Sequence, residues 1–474
     1  MNAKHYLIKL LTIICVATFS AMANSSPTTI SSNNSNISDD LYQELMGVTN
    51  EEGSVWVVIT LDLPEAQDKS NIEKQISTAQ ASFLNGMAEY IEIETAQKAP
   101  LSSSVLVRVS AKGLEKIKRM PKVRAISGNS SYSLQLDSST TIMGKDSNGK
   151  YGGGYVLFHG WRKVWKSGYN GSGKTIAIID TGVDNYSNLF LYNKVVNEAC
   201  FDYMGGCDNG QTQQYGAGSG KPCVGSSNCS HGTFVAGIAA GINTDPLSLL
   251  FHPYAPSSGV AKSSDIISIR VGHLSYNQSN CDPHPVPCVL SSAWDFKLAL
   301  EYVYSLRNSY DITSVNYSWG FSEHSSTCDA ADSNVFNAIN NLRNVGIATV
   351  VSTGNSGLNG KVSWPSCKSN VIRVGAARAA YGRYDTIEGY SNYWPGNTLF
   401  AIGCVDSSIP GGWSYGCGTS YAAPHVAGAF AVMKEKYPND SVDSIYNRLW
   451  NTSKSLRNPL IIPPAERGVF LGDM

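Results

Sequence analysis

From Lys174 onward the chain alternates two patterns of apolar and polar positions. Short unbroken apolar runs, such as Thr175-Ile176-Ala177-Ile178-Ile179, stop at a polar residue or a glycine. Between them lie segments with apolar residues at every third or fourth position. The runs predict strands from Lys174 to Asp180, Asp265 to Val271, Ile312 to Tyr317, Gly346 to Ser352 and Val371 to Ala376. The periodic segments predict helices from His231, from Ala293 to Leu306, Asn334 to Arg343, Ser420 to Lys436 and Val442 to Trp450. Strands without polar alternation are buried on both faces. Alternating them with helices predicts an α/β fold: a doubly wound, mostly parallel sheet with helices on both faces. In such sheets sites collect at the carboxyl ends of strands, and Asp180 stands at one.

The first part of the chain is patterned differently. Ser54 to Leu61 predicts a strand. Ile72, Ile76, Ala79, Phe83 and Met87 predict an amphipathic helix, and Val105, Val107 and Val109 predict a half-buried strand. A helix from Lys112 to Arg119 and a strand from Val123 to Ile126 complete a β-α-β-α-β order, a small α+β unit over about residues 53–128. Residues 24–50, rich in Ser, Asn and Thr, predict a flexible leader, and residues 129–173 a polar, glycine-rich connector. At the N-terminus, Lys4, His5 and Lys9 precede an apolar run from Leu10 to Phe19 and then Ala21-Met22-Ala23. This order is that of a cleavable signal peptide, the alternative being an anchor kept uncleaved. No later stretch is long enough to span a membrane. The expected division is a signal over 1–23, a removable region over 24–145 and the main domain over 146–474. A stable N-terminal binding domain is the competing reading of the small unit.

Composition sharpens this. Net charge is −1 with no long basic run, which excludes nucleic acid as the main partner. Of the 11 cysteines, Cys15 falls in the signal and the others all follow Asp180. An even number in an exported chain predicts disulfides, and spacing suggests that neighbours pair: Cys200 with Cys207, Cys223 with Cys229, Cys281 with Cys288, Cys328 with Cys367, Cys404 with Cys417. No CxxC pair with matching histidines supports zinc. Periplasm, outer surface and medium are all compatible with export.

Three polar residues stand at boundaries of apolar elements: Asp180 in Asp180-Thr181-Gly182, His231 in His231-Gly232-Thr233, and Ser420 in Gly418-Thr419-Ser420-Tyr421-Ala422-Ala423-Pro424-His425. Each alone reads equally well as a cap. Together they supply what acyl transfer needs. A serine hydroxyl is a weak nucleophile, a neutral imidazole can take and return its proton, and a buried carboxylate holds the imidazole's tautomer.

With those segments quoted, the region from Lys174 to the C-terminus resembles the subtilisin-like serine proteases, and the order Asp, His, Ser is that of subtilisin itself. The resemblance implies a secreted endopeptidase made as a zymogen, with Asp180 orienting, His231 as general base and acid, and Ser420 as nucleophile. Thr349 to Gly357 resembles the family's strand that ends in an oxyanion asparagine, here Asn355. Ser318-Trp319-Gly320 resembles the strand that pairs with substrate, and Thr353-Gly354 the opposite pocket wall. Ser363-Trp364-Pro365 resembles its lower wall. Trp319 stands where an aliphatic residue is usual; it either lines the cleft or points into the core. Tyr421 stands where methionine is usual, and Cys417, before the nucleophile, has Cys404 as its expected partner. No acidic residue in these segments suggests a trypsin-like pocket. The small unit resembles the family's inhibitory pro-region, so protein or peptide substrates and the chain's own pro-domain are the implied partners, with the mature enzyme a monomer. No cofactor is needed for the chemistry and no metal site is identified. Calcium is common in the family, but Asp184, Asp202 and Asp208 are only weak candidates for it. Two rival readings differ in class. An α/β-hydrolase esterase needs its acid and then its histidine after the serine, and only His425 follows Ser420. An exported binding protein would keep the three residues in an occluded site.

Overall fold

A computed structural model of the chain describes residues 36–63, 69–129, 131–133, 161–187, 190–243, 258–281, 285–380, 383–458 and 461–468. The expected signal peptide, its cut site and the expected processing boundary lie outside these residues.

The N-terminal unit is a four-stranded antiparallel sheet in the order Gln97–Lys98, Ser104–Val109, Val55–Leu61, Val123–Gly128. One side of it carries Val57, Ile59, Val105, Val107 and Val109, all inaccessible to solvent. They form a core with Phe83 and Met87 of helix Lys69–Met87 and with Leu114 and Ile117 of helix Ala111–Lys118. The flexible leader expected over 24–50 is overturned in its second half. Ser38 caps a helix, Asp39–Glu52, by accepting the Leu41 N–H, and the helix stops at Gly53, whose left-handed backbone suits a residue without a side chain. Its Tyr42, Leu45 and Thr49 are buried against the unit. The unit therefore starts before residue 53, the beginning expected of it.

The larger part is built on an 11-stranded sheet. From one edge its order is Gln213–Tyr215, Val195–Phe201, Asp265–Val271, Thr175–Asp180, Ile312–Tyr317, Ala348–Ser352, Ile372–Ala380, Leu399–Ile402, Ile461–Gly468, Lys454–Asn458 and Arg383–Ile387. Pairing is parallel from Val195–Phe201 through Leu399–Ile402. Thr175–Asp180 is buried at every position, as an unbroken apolar run requires. Its alternate residues feed different cores. Ile176 and Ile178 pack with the helices His231–Ala240 and Thr419–Lys436 on one face. Ala177 and Ile179 pack with the helices Ala293–Leu306 and Ser333–Asn344 on the other. The doubly wound reading is the fold of this part. Among the described residues no helix is long and apolar enough to cross a membrane.

The five disulfides join the neighbours that the spacing suggests. Cys404 and Cys417 face each other across the hairpin Cys404–Ile409/Gly412–Cys417, with Cα atoms 4.1 Å apart. This hairpin leads directly into helix Thr419–Lys436. Replacing both cysteines by serine is expected to destabilise the fold by about 2–3 kcal/mol, seen as a lower melting temperature, with a smaller effect on turnover. An unchanged melting temperature would contradict it.

The two parts meet over an apolar and neutral-polar face. Val58, Ala99 and Leu106, on the outer side of the small sheet, belong to the same apolar cluster as Trp294, Leu298 and Val335. Trp294 donates its backbone N–H to Asn129 Oδ1 (3.0 Å) and its indole N–H to Gln97 Oε1 (3.1 Å). Gln97 in turn donates to the carbonyl of Tyr203 (2.7 Å). Asn334 bridges Thr60 and Ser127. Beneath this face Asp295 accepts the Tyr203 N–H (2.8 Å), and burial, then the charge of Asp202, pushes its carboxyl well above the usual range.

Candidate active site

Asp180 ends its strand and is fully buried. Its Oδ1 accepts the Thr181 N–H (2.7 Å) and lies 2.8 Å from His231 Nδ1. His231 opens its helix, and Thr181 ties that opening to the aspartate segment. The Thr181 hydroxyl donates to the Cys229 carbonyl (3.1 Å) and accepts the Gly232 N–H (2.9 Å). The approach is so close that a Cβ on Gly232 would stand 2.3 Å from the Gly182 carbonyl, so the residue after the histidine must be glycine. With Nδ1 committed to the carboxylate, Nε2 is the basic nitrogen; it is buried and has no hydrogen-bond partner.

Ser420 is the second residue of helix Thr419–Lys436, within the first turn whose N–H groups lack helical acceptors. Pro424 sits four residues later and cannot donate to the Ser420 carbonyl. The Ser318 hydroxyl takes that place, donating to the Ser420 carbonyl at 2.8 Å. Reciprocally, Ser420 Oγ donates to the Ser318 carbonyl at 3.1 Å. The nucleophile candidate is thus anchored to the strand end that carries Ser318.

Asn355 is oriented by Thr419. Its Oδ1 accepts both the Thr419 N–H and the Thr419 hydroxyl, each at 2.9 Å. An N–H can only donate, so the atom facing it is the amide oxygen. The amide nitrogen lies on the side of Gly418, 3.5 Å from where a Cβ on that residue would stand. Gly354 N–H donates to the Thr419 hydroxyl (3.2 Å), so one threonine joins the two segments.

The expected pocket walls also come together. Thr353 accepts the Ser363 N–H (2.9 Å), and a Cβ on Gly354 or on Gly320 would run into the Ser363 side chain, at 2.1 Å and 2.9 Å respectively. Trp319 takes the inward of its two orientations. It is 1% exposed and stacks on Tyr317 at 6.5 Å in the core, so its side chain does not line a cleft.

One pairing of strands escaped sequence reasoning. Cys288–Ser292 is a strand, and Ser131–Ser133, just after the small unit, pairs with it antiparallel, with Leu290 opposite Ser133 and Ser292 opposite Ser131. The apolar run Val289-Leu290 before the helix-capping Ser292 was its signal. The acidic candidates for calcium do not converge. Asp184 caps Tyr186 and Ser187, Asp202 pairs with His273 (3.1 Å) and Asp208 with Arg270 (2.8 Å). Among the described residues no cluster of three or more His, Cys, Asp or Glu could hold an ion. His425 bonds the Tyr421 carbonyl of its own helix (2.9 Å), and burial lowers its pKa to about 4. It stays neutral and structural, which leaves the esterase order without its histidine.

A model of the subtilase family matches residues 171–463. The chain is 28% identical to a thermostable alkaline protease of Halalkalibacterium halodurans, over 74% of this chain and 78% of that protein. It is 30% identical to subtilisin Savinase of Lederbergia lenta, over 61% of this chain and 86% of that one. A solved protease of Pseudoalteromonas arctica aligns at a TM-score of 0.49 and 23% identity, over 67% of this chain and 92% of that one.

Proposed function

The chain belongs to the subtilase family and is a serine endopeptidase; from that premise we propose that Ser420, His231 and Asp180 are its catalytic residues and that it is made as a zymogen. The observation that carries the assignment is the 2.8 Å contact of His231 Nδ1 with Asp180 Oδ1, which leaves Nε2 as the base.

The Ser420 hydroxyl turns from the Ser318 carbonyl to Nε2. The imidazole takes its proton as Oγ attacks the scissile carbonyl. Negative charge gathers on the former carbonyl oxygen, where the Asn355 amide nitrogen and the Ser420 N–H stabilise it. The imidazolium, held by Asp180, then protonates the leaving amine, and water completes hydrolysis of the acyl-enzyme by the same steps in reverse. Substrate would lie as an extended strand between the Ser318–Gly320 and Cys288–Ser292 segments. Main-chain pairing there gives affinity with little sequence selectivity.

The zymogen reading rests on Ser131–Ser133 pairing with Cys288–Ser292, since a strand of the chain itself then occupies part of that groove. The small unit is read as the inhibitor that carries this strand. The signal-like N-terminus and the crosslinks support export.

A fluorophosphonate, which reacts only with an activated serine, tests the assignment. The processed enzyme should carry a single adduct, mapped by mass spectrometry to Ser420, and His231→Ala should not react. An adduct on another serine would remove the reading.

A further inference from the structure

Asp180 and His231 are 51 residues apart in the chain, and proton transfer needs their 2.8 Å contact held through every turnover. Neither residue sits where regular structure would hold it. Asp180 is the last residue of its strand and His231 the first of its helix, so both stand where repeating hydrogen bonds stop. Ser230, in the capping position of that helix, makes no side-chain cap.

The segment from Gly220 to Ser230 supplies what the two ends lack. Its first part lies along the residues that follow the aspartate. The Val183 N–H donates to the Gly220 carbonyl (2.9 Å) and the Cys223 N–H to the Thr181 carbonyl (3.0 Å). Between these bonds the approach is close: a Cβ on Gly182 would stand 2.1 Å from the Lys221 carbonyl oxygen. Ser268 Oγ, on the adjacent strand, also donates to the Gly220 carbonyl (2.7 Å). The last part is the turn Ser227–Ser230, which runs straight into the histidine helix. There the Thr181 hydroxyl donates to the Cys229 carbonyl (3.1 Å) and accepts the Gly232 N–H (2.9 Å).

Cys223 and Cys229 are joined by a disulfide. One half-cystine therefore holds Thr181 through its N–H and the other through its carbonyl, and the N–H of that same threonine lies on Asp180 Oδ1 (2.7 Å). Packing does not hold the loop between the cysteines, where Val224 is 86% exposed and Gly225 and Ser227 are exposed too. The crosslink spans 6 residues, the fewest of the five, so it restricts the unfolded chain least. Its place in the fold says more about its role than its contribution to stability does. We propose that the Cys223–Cys229 crosslink positions the catalytic pair, fixing Thr181 from both sides and so keeping His231 Nδ1 on Asp180 Oδ1. This rests on the assignment of His231 as the base made above.

The test uses enzyme expressed at full length and allowed to process, with kcat counted per site titrated by the fluorophosphonate. The substrate is a peptide p-nitroanilide, which has no residue beyond the scissile bond. Cys223→Ala/Cys229→Ala should lower kcat about tenfold to a hundredfold, with KM within about twofold of wild type. The midpoint of the acid-side fall in kcat/KM should move to lower pH by about half a unit, because an imidazolium less well held by the carboxylate gives up its proton more readily. Cys200→Ala/Cys207→Ala removes a crosslink that spans 7 residues elsewhere, and should lower the melting temperature while leaving kcat and the midpoint alone. Unchanged kcat and midpoint in the first variant, or the same shifts in both, overturn the proposal. If the first variant does not fold, processed wild type is treated under native conditions with a phosphine and iodoacetamide. Activity should then fall in step with alkylation of Cys223, read by peptide mass, and activity retained at full alkylation of Cys223 overturns the proposal. Wild-type turnover by His231→Ala undoes the assignment of the base instead.

Discussion

Ser420→Ala is expected to lower kcat for peptide hydrolysis by about 10⁶-fold, the size found when the same group is removed from subtilisin. The loss is this large because the serine, histidine and aspartate act as one unit. Without Oγ, His231 has no proton to take and Asp180 no imidazolium to stabilise. The substitution should be benign for folding: Ser420 is buried near the start of the helix, and its carbonyl keeps the Ser318 hydroxyl. Only the bond from Ser420 Oγ to the Ser318 carbonyl is lost, about 1 kcal/mol. If the chain cuts itself, the variant also keeps residues 24 to about 145, which intact mass shows directly. A variant that folds, processes and digests casein as wild type does would refute the role of Ser420.

Asn355→Ala should reduce kcat by about 10²–10³, again the magnitude known for the matching asparagine of subtilisin, with KM little changed. The charge it stabilises exists only after attack, so ground-state binding does not register its loss. Alanine also strands the Thr419 N–H, whose acceptor is Asn355 Oδ1 at 2.9 Å. Part of the fall would then come from a loosened nucleophile turn. Asn355→Asp separates the two effects, because it keeps an oxygen for Thr419 while removing the donor. Its kcat should fall at least as far as that of the alanine variant. Recovery of activity in Asn355→Asp would show that anchoring Thr419 is the residue's main task.

What was legible in the sequence follows from which physics is local. The strand runs were readable because a doubly buried strand must be apolar at every position, as Thr175–Asp180 is. Asp180, His231 and Ser420 could be proposed as a triad, with Asn355 beside them, because acyl transfer admits few residue types, and each sits at or near the start or end of an element. Helix Asp39–Glu52 was not: Tyr42, Leu45 and Thr49 are buried and Leu41 and Met46 half-buried beside them, a stripe at helical spacing, but it lies in a Ser- and Asn-rich stretch with Gly47 inside it, a composition that reads as a leader. The partnership of Ser131–Ser133 with Cys288–Ser292 depends on residues far apart in sequence and on backbone groups that leave no trace in side-chain pattern. The clamps made by Thr181, Ser318 and Thr419 were invisible for the same reason. Small hydroxyls serve equally as caps or surface residues until their neighbours are known. The Ser318 clamp is the instructive case. Pro424 advertises a missing donor in the helix, but not which residue supplies one.

The crosslinks are all on one side of the boundary between the two parts. All five close loops within the larger part, spanning 6 to 39 residues, and the small unit contains no cysteine. A protease lives among copies of itself, and a chain is cut only where it opens. Opening of the crosslinked part is restrained by its covalent loops, whereas the small unit has no covalent restraint and relies on its apolar core, its polar contacts and the face it shares with the larger part. In a mixed population the two therefore age at different rates. Self-digestion falls first on the unit without crosslinks, and the lifetime of the larger part is set by how slowly it unfolds.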